Sequence, residues 1–194
     1  MATAKESPMP EATTVAQDFP LEYHKTLVLF FKRMGVLETI KPQHNVKDSF
    51  SNLVGGSLKV VSVERGKISC LVKVKAPLLN AYGGMHGGSV AAVAERVAIA
   101  CARTVVGEDK SLFLGELGIS YLSSAPQNAE VIIDGSVVRS GRNLTVVAVN
   151  FRLKESGRLA FLTRATFYNM PVSILGWLKA FGVIEGNMHV WSRG

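Results

Sequence analysis

The chain has 194 residues, 47% hydrophobic and 19% charged, with a formal net charge of +7; that is enough for one good core and short for two, so one domain with tails is expected. The charged fraction lies below the globular norm of about 25%, as in a subunit that buries surface against copies of itself. The positive balance suits an anionic partner such as a phosphate-rich small molecule, whereas the absence of any Lys/Arg block or basic-aromatic strip disfavours nucleic acid.

Residues 1–20 are polar, broken by Pro8, Pro10 and Pro20 and carrying Glu6, Glu11 and Asp18. They lack the apolar core of a secretory signal, and the acids speak against a mitochondrial transit peptide. A disordered tail is expected there. The terminal Ser192-Arg193-Gly194 does not match the peroxisomal Ser-Lys-Leu type, so the cytoplasm is the default compartment. Residues 21–46 form an N-terminal segment in which Leu21 to Val36, with Leu27, Val28, Phe30, Phe31 and Met34 between cations, reads as an amphipathic helix. Pro42 and His44 follow in a loop, His44 as a surface residue.

The main domain is placed at 47–170. A short turn near Ser49 to Val54 leads into strands at Leu58–Glu64 and Ile68–Lys75, joined as a hairpin by Arg65-Gly66-Lys67. Cys70 and Cys101 have no CxxC or histidine-linked spacing, so they read as buried apolar residues in a reducing compartment, with no metal site.

Asn80 to Thr104 is the centre of the chain: a glycine-rich turn with one histidine, then about seventeen residues of small or apolar side chains. A helix without a wet face is a membrane span or a buried element. Glu95 and Arg96 within it and its moderate length argue against a bilayer, which needs about 20 apolar residues. A carboxylate in a buried helix needs an explanation. Glu95 either pairs with Arg96 or a partner subunit's cation, or serves as a base in a pocket. His86, Gly87 and Gly88 open the helix, where free amides suit a developing oxyanion. Glu95 lies seven residues beyond Gly88, about 10 Å along the axis. A two-fold pairing could set the turn of one subunit beside the carboxylate of another.

After the loop Gly107 to Lys110, strand-like runs follow at Leu112–Leu122, Glu130–Arg139, Leu144–Lys154 and Leu159–Met170, with hairpin turns at Ser140–Asn143 and Glu155–Arg158. One helix among about six antiparallel strands is an α+β layout. Residues 171–194 form an apolar extension, with Trp177 and Phe181, too interrupted by Gly176 and Gly182 to span a bilayer. Docking on the domain is its expected role. Arg139-Ser140-Gly141-Arg142 sets two guanidinium groups at a tight glycine turn: either a β-turn with solvated charges or a phosphate site.

Asn80, the run Met85-His86-Gly87-Gly88-Ser89 and Glu95, with the later Ile119 to Ala125 segment, resemble the signature of hotdog-fold acyl-CoA thioesterases of the phenylacetic-acid-degradation and human thioesterase-superfamily type. The resemblance covers roughly 47–170 and implies a sheet wrapped around the central helix, in a homodimer and a dimer of dimers. It implies hydrolysis of an acyl-CoA, with coenzyme A belonging to the substrate and no further cofactor or metal. The Gly87 amide would polarise the thioester carbonyl, and Glu95 of the opposing subunit would act as general base or nucleophile. Asn80 would position the carbonyl or the water, while His86 would shape the turn or hydrogen-bond near the thioester. Gly88, Arg139, Gly141 and Arg142 would bind substrate, the arginine turn taking the nucleotide end of coenzyme A across a subunit boundary.

Two departures stand out. Many relatives carry aspartate where this chain has Glu95, and Leu114 occupies a position where relatives of the human type place a water-orienting serine or threonine; Ser111 would face the other side of the strand. A non-catalytic acyl-CoA-binding module and, on weaker grounds, a hotdog hydratase or dehydratase are the alternatives. Acyl-chain preference depends on packing around Val93, Val97, Phe113 and the C-terminal tail.

Overall fold

The structure, a computed structural model, describes residues 20–33 and 39–172. The expected N-terminal tail lies outside them but for Pro20, and the C-terminal extension but for Pro171 and Val172. The chain divides into two units, residues 1–50 and 51–194. In the first, α1 (Leu21–Arg33) is the expected helix; its continuation to Val36 is outside the described residues. A 3-10 turn at Pro42–His44 starts on proline, whose missing N–H has no partner to lose at a helix start, and His44 is exposed.

Where a short turn was expected at Ser49 to Val54, the structure has a helix, α2 (Ser49–Ser57), whose residues from Ser51 onward belong to the second unit. Gly55 and Gly56 hide it, since each glycine is about 1 kcal/mol poorer in a helix than alanine. Tertiary contact compensates: Arg96 of the central helix donates from Nη2 to the Ser51 carbonyl at 2.9 Å, and Val54 is fully buried.

The second unit is a six-stranded antiparallel sheet around one long helix, the hotdog arrangement that the resemblance implied. Strands β1 (Leu58–Glu64), β2 (Lys67–Lys73), β3 (Lys110–Tyr121), β4 (Glu130–Ser140), β5 (Leu144–Leu153) and β6 (Leu159–Pro171) are ordered β1-β2-β4-β5-β6-β3. Strict alternation builds the inner face: Ile68, Cys70 and Val72 on β2 and Val147, Val149 and Phe151 on β5 are buried, while their neighbours are less so. The β1–β2 turn needs Gly66, whose φ of 78° is left-handed.

The central helix α3 (Gly87–Arg103) presses Val90, Val93, Ala94, Val97, Ala98 and Cys101 onto that face at helical spacing. It comes so close to β4 that a Cβ on Gly135 would lie 3.2 Å from Val97 Cγ1 and 3.3 Å from Cys101 Cβ. The helix is not buried all round, however. Ala92, Glu95, Arg96 and Ile99 are half-exposed and Ala100 is exposed. Alanine and isoleucine on that side conceal it from a reading by hydropathy.

Candidate functional site

The start of α3 is fixed by a loop of backbone contacts. His86 N–H donates to the Leu78 carbonyl at 2.7 Å and Met85 N–H to the Ala125 carbonyl at 2.8 Å; Met85 is itself buried. Asn80 closes the preceding turn with its side chain, Oδ1 accepting from the amides of Tyr82 at 2.9 Å and Gly84 at 3.1 Å. This is the turn chemistry that asparagine favours, and it leaves the Nδ2 donors for another acceptor. His86 is the N-cap of α3: its Nδ1 accepts from Gly88 N–H at 2.9 Å. That bond requires Nδ1 to be unprotonated, so a neutral ring carries its hydrogen on Nε2.

Gly87 is the first residue of the helix, and among the described residues no hydrogen bond engages its N–H. An unpaired amide at the positive end of a seventeen-residue helix can meet a carbonyl oxygen or an oxyanion. The hydroxyl of Tyr121, the last residue of β3, donates to the Gly87 carbonyl at 3.1 Å. Sequence reasoning quoted Tyr121 within a matching segment without giving it a part, because its closeness to the turn follows from the β3–β6 register.

Asn80, His86, Gly87 and Gly88 are thus one constellation. Glu95 lies two turns further along the same helix, half-exposed, and makes no hydrogen bond or ion pair among the described residues. Pairing with Arg96 within the chain is therefore not what holds it.

Arg139, Gly141 and Arg142 lie elsewhere. Val137 N–H donates to the Gly66 carbonyl at 2.8 Å, and Gly66 N–H donates to Oγ1 of Thr104, which caps the C-terminus of α3, at 2.7 Å. The β4–β5 turn is therefore at the far end of α3 from Gly87, about 25 Å away along the helix axis. There Arg139, Gly141, Arg142, Asn143 and Leu144 line a concavity of ≈ 370 Å³. Lys110, expected in a loop, begins β3 and donates from Nζ to the Arg142 carbonyl at 2.9 Å, adding a third cation. Underneath, buried Asn169 donates from Nδ2 to the Gly141 carbonyl at 2.8 Å and accepts from the Thr145 hydroxyl at 3.0 Å. Neither Lys110 nor Asn169 was foreseen; a lone asparagine in a strand of apolar alternation was the available signal.

Leu114 pairs with Phe167 in register and packs on the core side of β3, whereas Ser111 pairs with Met170 on the alternate side. Val93 and Val97 are consumed in the core, and Phe113 is 49% exposed on the outer face, so these three do not jointly line an acyl site in this chain. Burial pushes the Cys101 thiol up to about 11 and also raises Cys70, with Asp134 adding to the latter. Both stay protonated and inert near neutrality. Among the described residues no cluster of His, Cys, Asp or Glu could hold a metal ion, and no helix is long and apolar enough to cross a membrane.

Comparison with known proteins adds to this geometry. Residues 82–160 match the family described as the thioesterase superfamily. Acyl-coenzyme A thioesterase 13 of Homo sapiens is 29% identical over 115 residues, 57% of this chain and 79% of the relative. The crystal structure of zebra fish thioesterase superfamily member 2 superposes with a TM-score of 0.58 at 22% identity, covering 74% of this chain and 96% of that one. A hypothetical thioesterase from Streptococcus pneumoniae, solved with coenzyme A, gives a TM-score of 0.56 at 21% identity over 60% and 88% of the two chains. At such identities these structural likenesses speak for the fold.

Proposed function

From the match of residues 82–160 to the thioesterase superfamily, we propose that the chain hydrolyses acyl-CoA thioesters to the free acid and coenzyme A. The observation that carries the reading is the unengaged Gly87 amide at the start of α3, held between the His86 cap and Tyr121. It would donate to the thioester carbonyl and, more strongly, to the oxyanion that forms there. Asn80 would add an Nδ2 donor to the same oxygen or to the water.

The general base comes from a second subunit. Glu95 is too far along its own helix to act beside its own Gly87, about 10 Å from Gly88. The edge that would pair two chains is β3, which is long, neighbours only β6 and carries Tyr121 at 56% exposure. In the dimer, Glu95 of one chain removes a proton from water as its oxygen bonds to the carbonyl carbon; the C–S bond then breaks and the thiolate of coenzyme A takes the proton. Alternatively the carboxylate itself attacks the carbonyl carbon and expels the thiolate of coenzyme A, giving an anhydride that water opens to the free acid and the carboxylate, with the thiolate taking up the proton released. A dimer of dimers completes the assembly. The cations at Arg139, Arg142 and Lys110 would hold the nucleotide phosphates, bidentate where arginine is the donor.

Leu114 favours a second reading. With an apolar side chain where the resemblance leads one to expect a water-orienting hydroxyl, the fold could hold acyl-CoA without cleaving it. Release of free thiol from short, long and aromatic acyl-CoAs decides between them. Hydrolysis requires turnover on at least one member and a loss of about 100-fold or more in Glu95→Gln, with acyl-CoA affinity retained. Tight binding by both forms with no thiol released from any member would leave the binding module.

A further inference from the structure

We infer that Tyr121 is a positioning residue that sets the direction of the Gly87 amide; the inference rests on the hydrolytic reading above. The helix opens on two consecutive glycines, Gly87 and Gly88, and glycine gives a first turn more conformational freedom than any other residue. A donor to a developing oxyanion is effective only when its orientation is set before reaction, so that none is lost to reorganisation. The Gly87 N–H belongs to the His86–Gly87 peptide, whose carbonyl accepts from Val90 N–H at 3.0 Å. The next peptide is gripped at both of its groups, the Gly88 N–H by His86 Nδ1 at 2.9 Å and the Gly87 carbonyl by the Tyr121 hydroxyl at 3.1 Å, and together these fix the Gly87 torsions from the C-terminal side.

The tyrosine is itself held firmly. It faces Phe161 across the β3–β6 register, its ring stands edge-on to that of Phe161 with centroids 5.8 Å apart, and Phe161 is in turn edge-on to Phe151 at 5.7 Å. Both phenylalanines are buried. The hydroxyl therefore reports the position of the core, while the ring remains open to solvent beside the helix start. The same ring closes one face of Gly87: a Cβ there would lie 3.2 Å from the hydroxyl oxygen and 3.4 Å from Cζ. Ring and glycine fit as a pair, so a change in either alters the other's effect.

The test uses full-length protein and Tyr121→Phe, which keeps the ring and its contact with Phe161. With an acyl-CoA that the wild type hydrolyses, kcat should fall about tenfold with KM within about twofold, the signature of an interaction realised in the transition state. Backbone amide exchange at residues 87–89, measured without substrate, should quicken. Gly87→Ala should cost less in the Tyr121→Phe background than in the wild type, because the 3.2 Å contact is relieved. An unchanged kcat with additive single effects would overturn the inference while leaving hydrolysis intact. A rise in KM alone, or a fall in kcat with unaltered exchange, would also overturn it, since the hydroxyl would then act on substrate directly. A wild type without turnover on any acyl-CoA would remove the hydrolytic reading and this inference with it.

Discussion

The two ends of α3 carry turns that look alike in composition and are built in opposite ways. At the N-terminal end, glycines follow a histidine, and the turn is held by main-chain bonds, by short-range side-chain bonds from Asn80 and His86 and by an aromatic ring, so that it presents one bare amide. At the other end, glycine sits between arginines, and buried side chains, Asn169 and Thr145, hold the turn from beneath while three cations face outward. The first presents a short-range directional donor, suited to one oxygen atom. The second presents a diffuse positive field, suited to phosphate. If the two serve one substrate, damage at the first should appear in kcat and damage at the second in KM.

The largest effect should come from Gly87→Ala. Its Cβ would press on the Tyr121 hydroxyl at 3.2 Å and tilt the first turn, taking the amide off line; kcat should fall by about 10- to 100-fold, somewhat less than for outright loss of an oxyanion donor. Steady-state kinetics on the best acyl-CoA of the panel checks this. A pure KM effect would erase the distinction between the two turns. Next in size is the double substitution Arg139→Ala and Arg142→Ala, expected to raise KM about tenfold with kcat nearly unchanged. Because both guanidinium groups are exposed, raising the ionic strength should weaken wild-type binding and have less effect on the variant.

Asn169→Ala sharpens the comparison, since it leaves both cations in place and removes their support. It removes the side-chain donor from the Gly141 carbonyl and leaves the buried Thr145 hydroxyl with only the Ser140 hydroxyl at 3.2 Å, at a stability cost of about 1 kcal/mol in chemical denaturation. KM should rise severalfold, with kcat held. A change in kcat as large as that in KM would show that the two ends are mechanically coupled through the sheet.

How much of this was visible beforehand follows the same division. The N-terminal turn is local: Asn80 closes on residues two and four ahead and His86 on the residue two ahead, so a reading along the chain reaches it. The hairpins were legible for the same reason, through alternation and glycine turns. The arginine turn was legible as a cluster of charge, but its supports come from 28 and 32 positions away, and no pattern within the turn announces them. Tyr121 reaches Gly87 across 34 positions. α2 was missed because glycines argue against a helix that an arginine on another helix holds, and the half-exposed side of α3 because its alanines and isoleucine are apolar wherever they face.

The smallest expected effect belongs to His86→Asn, and it separates the two readings of the histidine. If His86 serves the turn, what matters is an acceptor within reach of the Gly88 amide, and asparagine is among the best N-cap residues, costing little relative to the bond lost in His86→Leu. His86→Asn should then keep kcat within about threefold, while His86→Leu should lower helix stability by about 1 kcal/mol and kcat with it. If instead Nε2 donates to the thioester, both variants should lose activity alike, since neither retains that hydrogen. The observed bond at Nδ1 fixes the neutral tautomer with Nε2 as the remaining donor, so it is compatible with both roles; the gap between the asparagine and leucine variants measures how much of the histidine's effect is the cap alone.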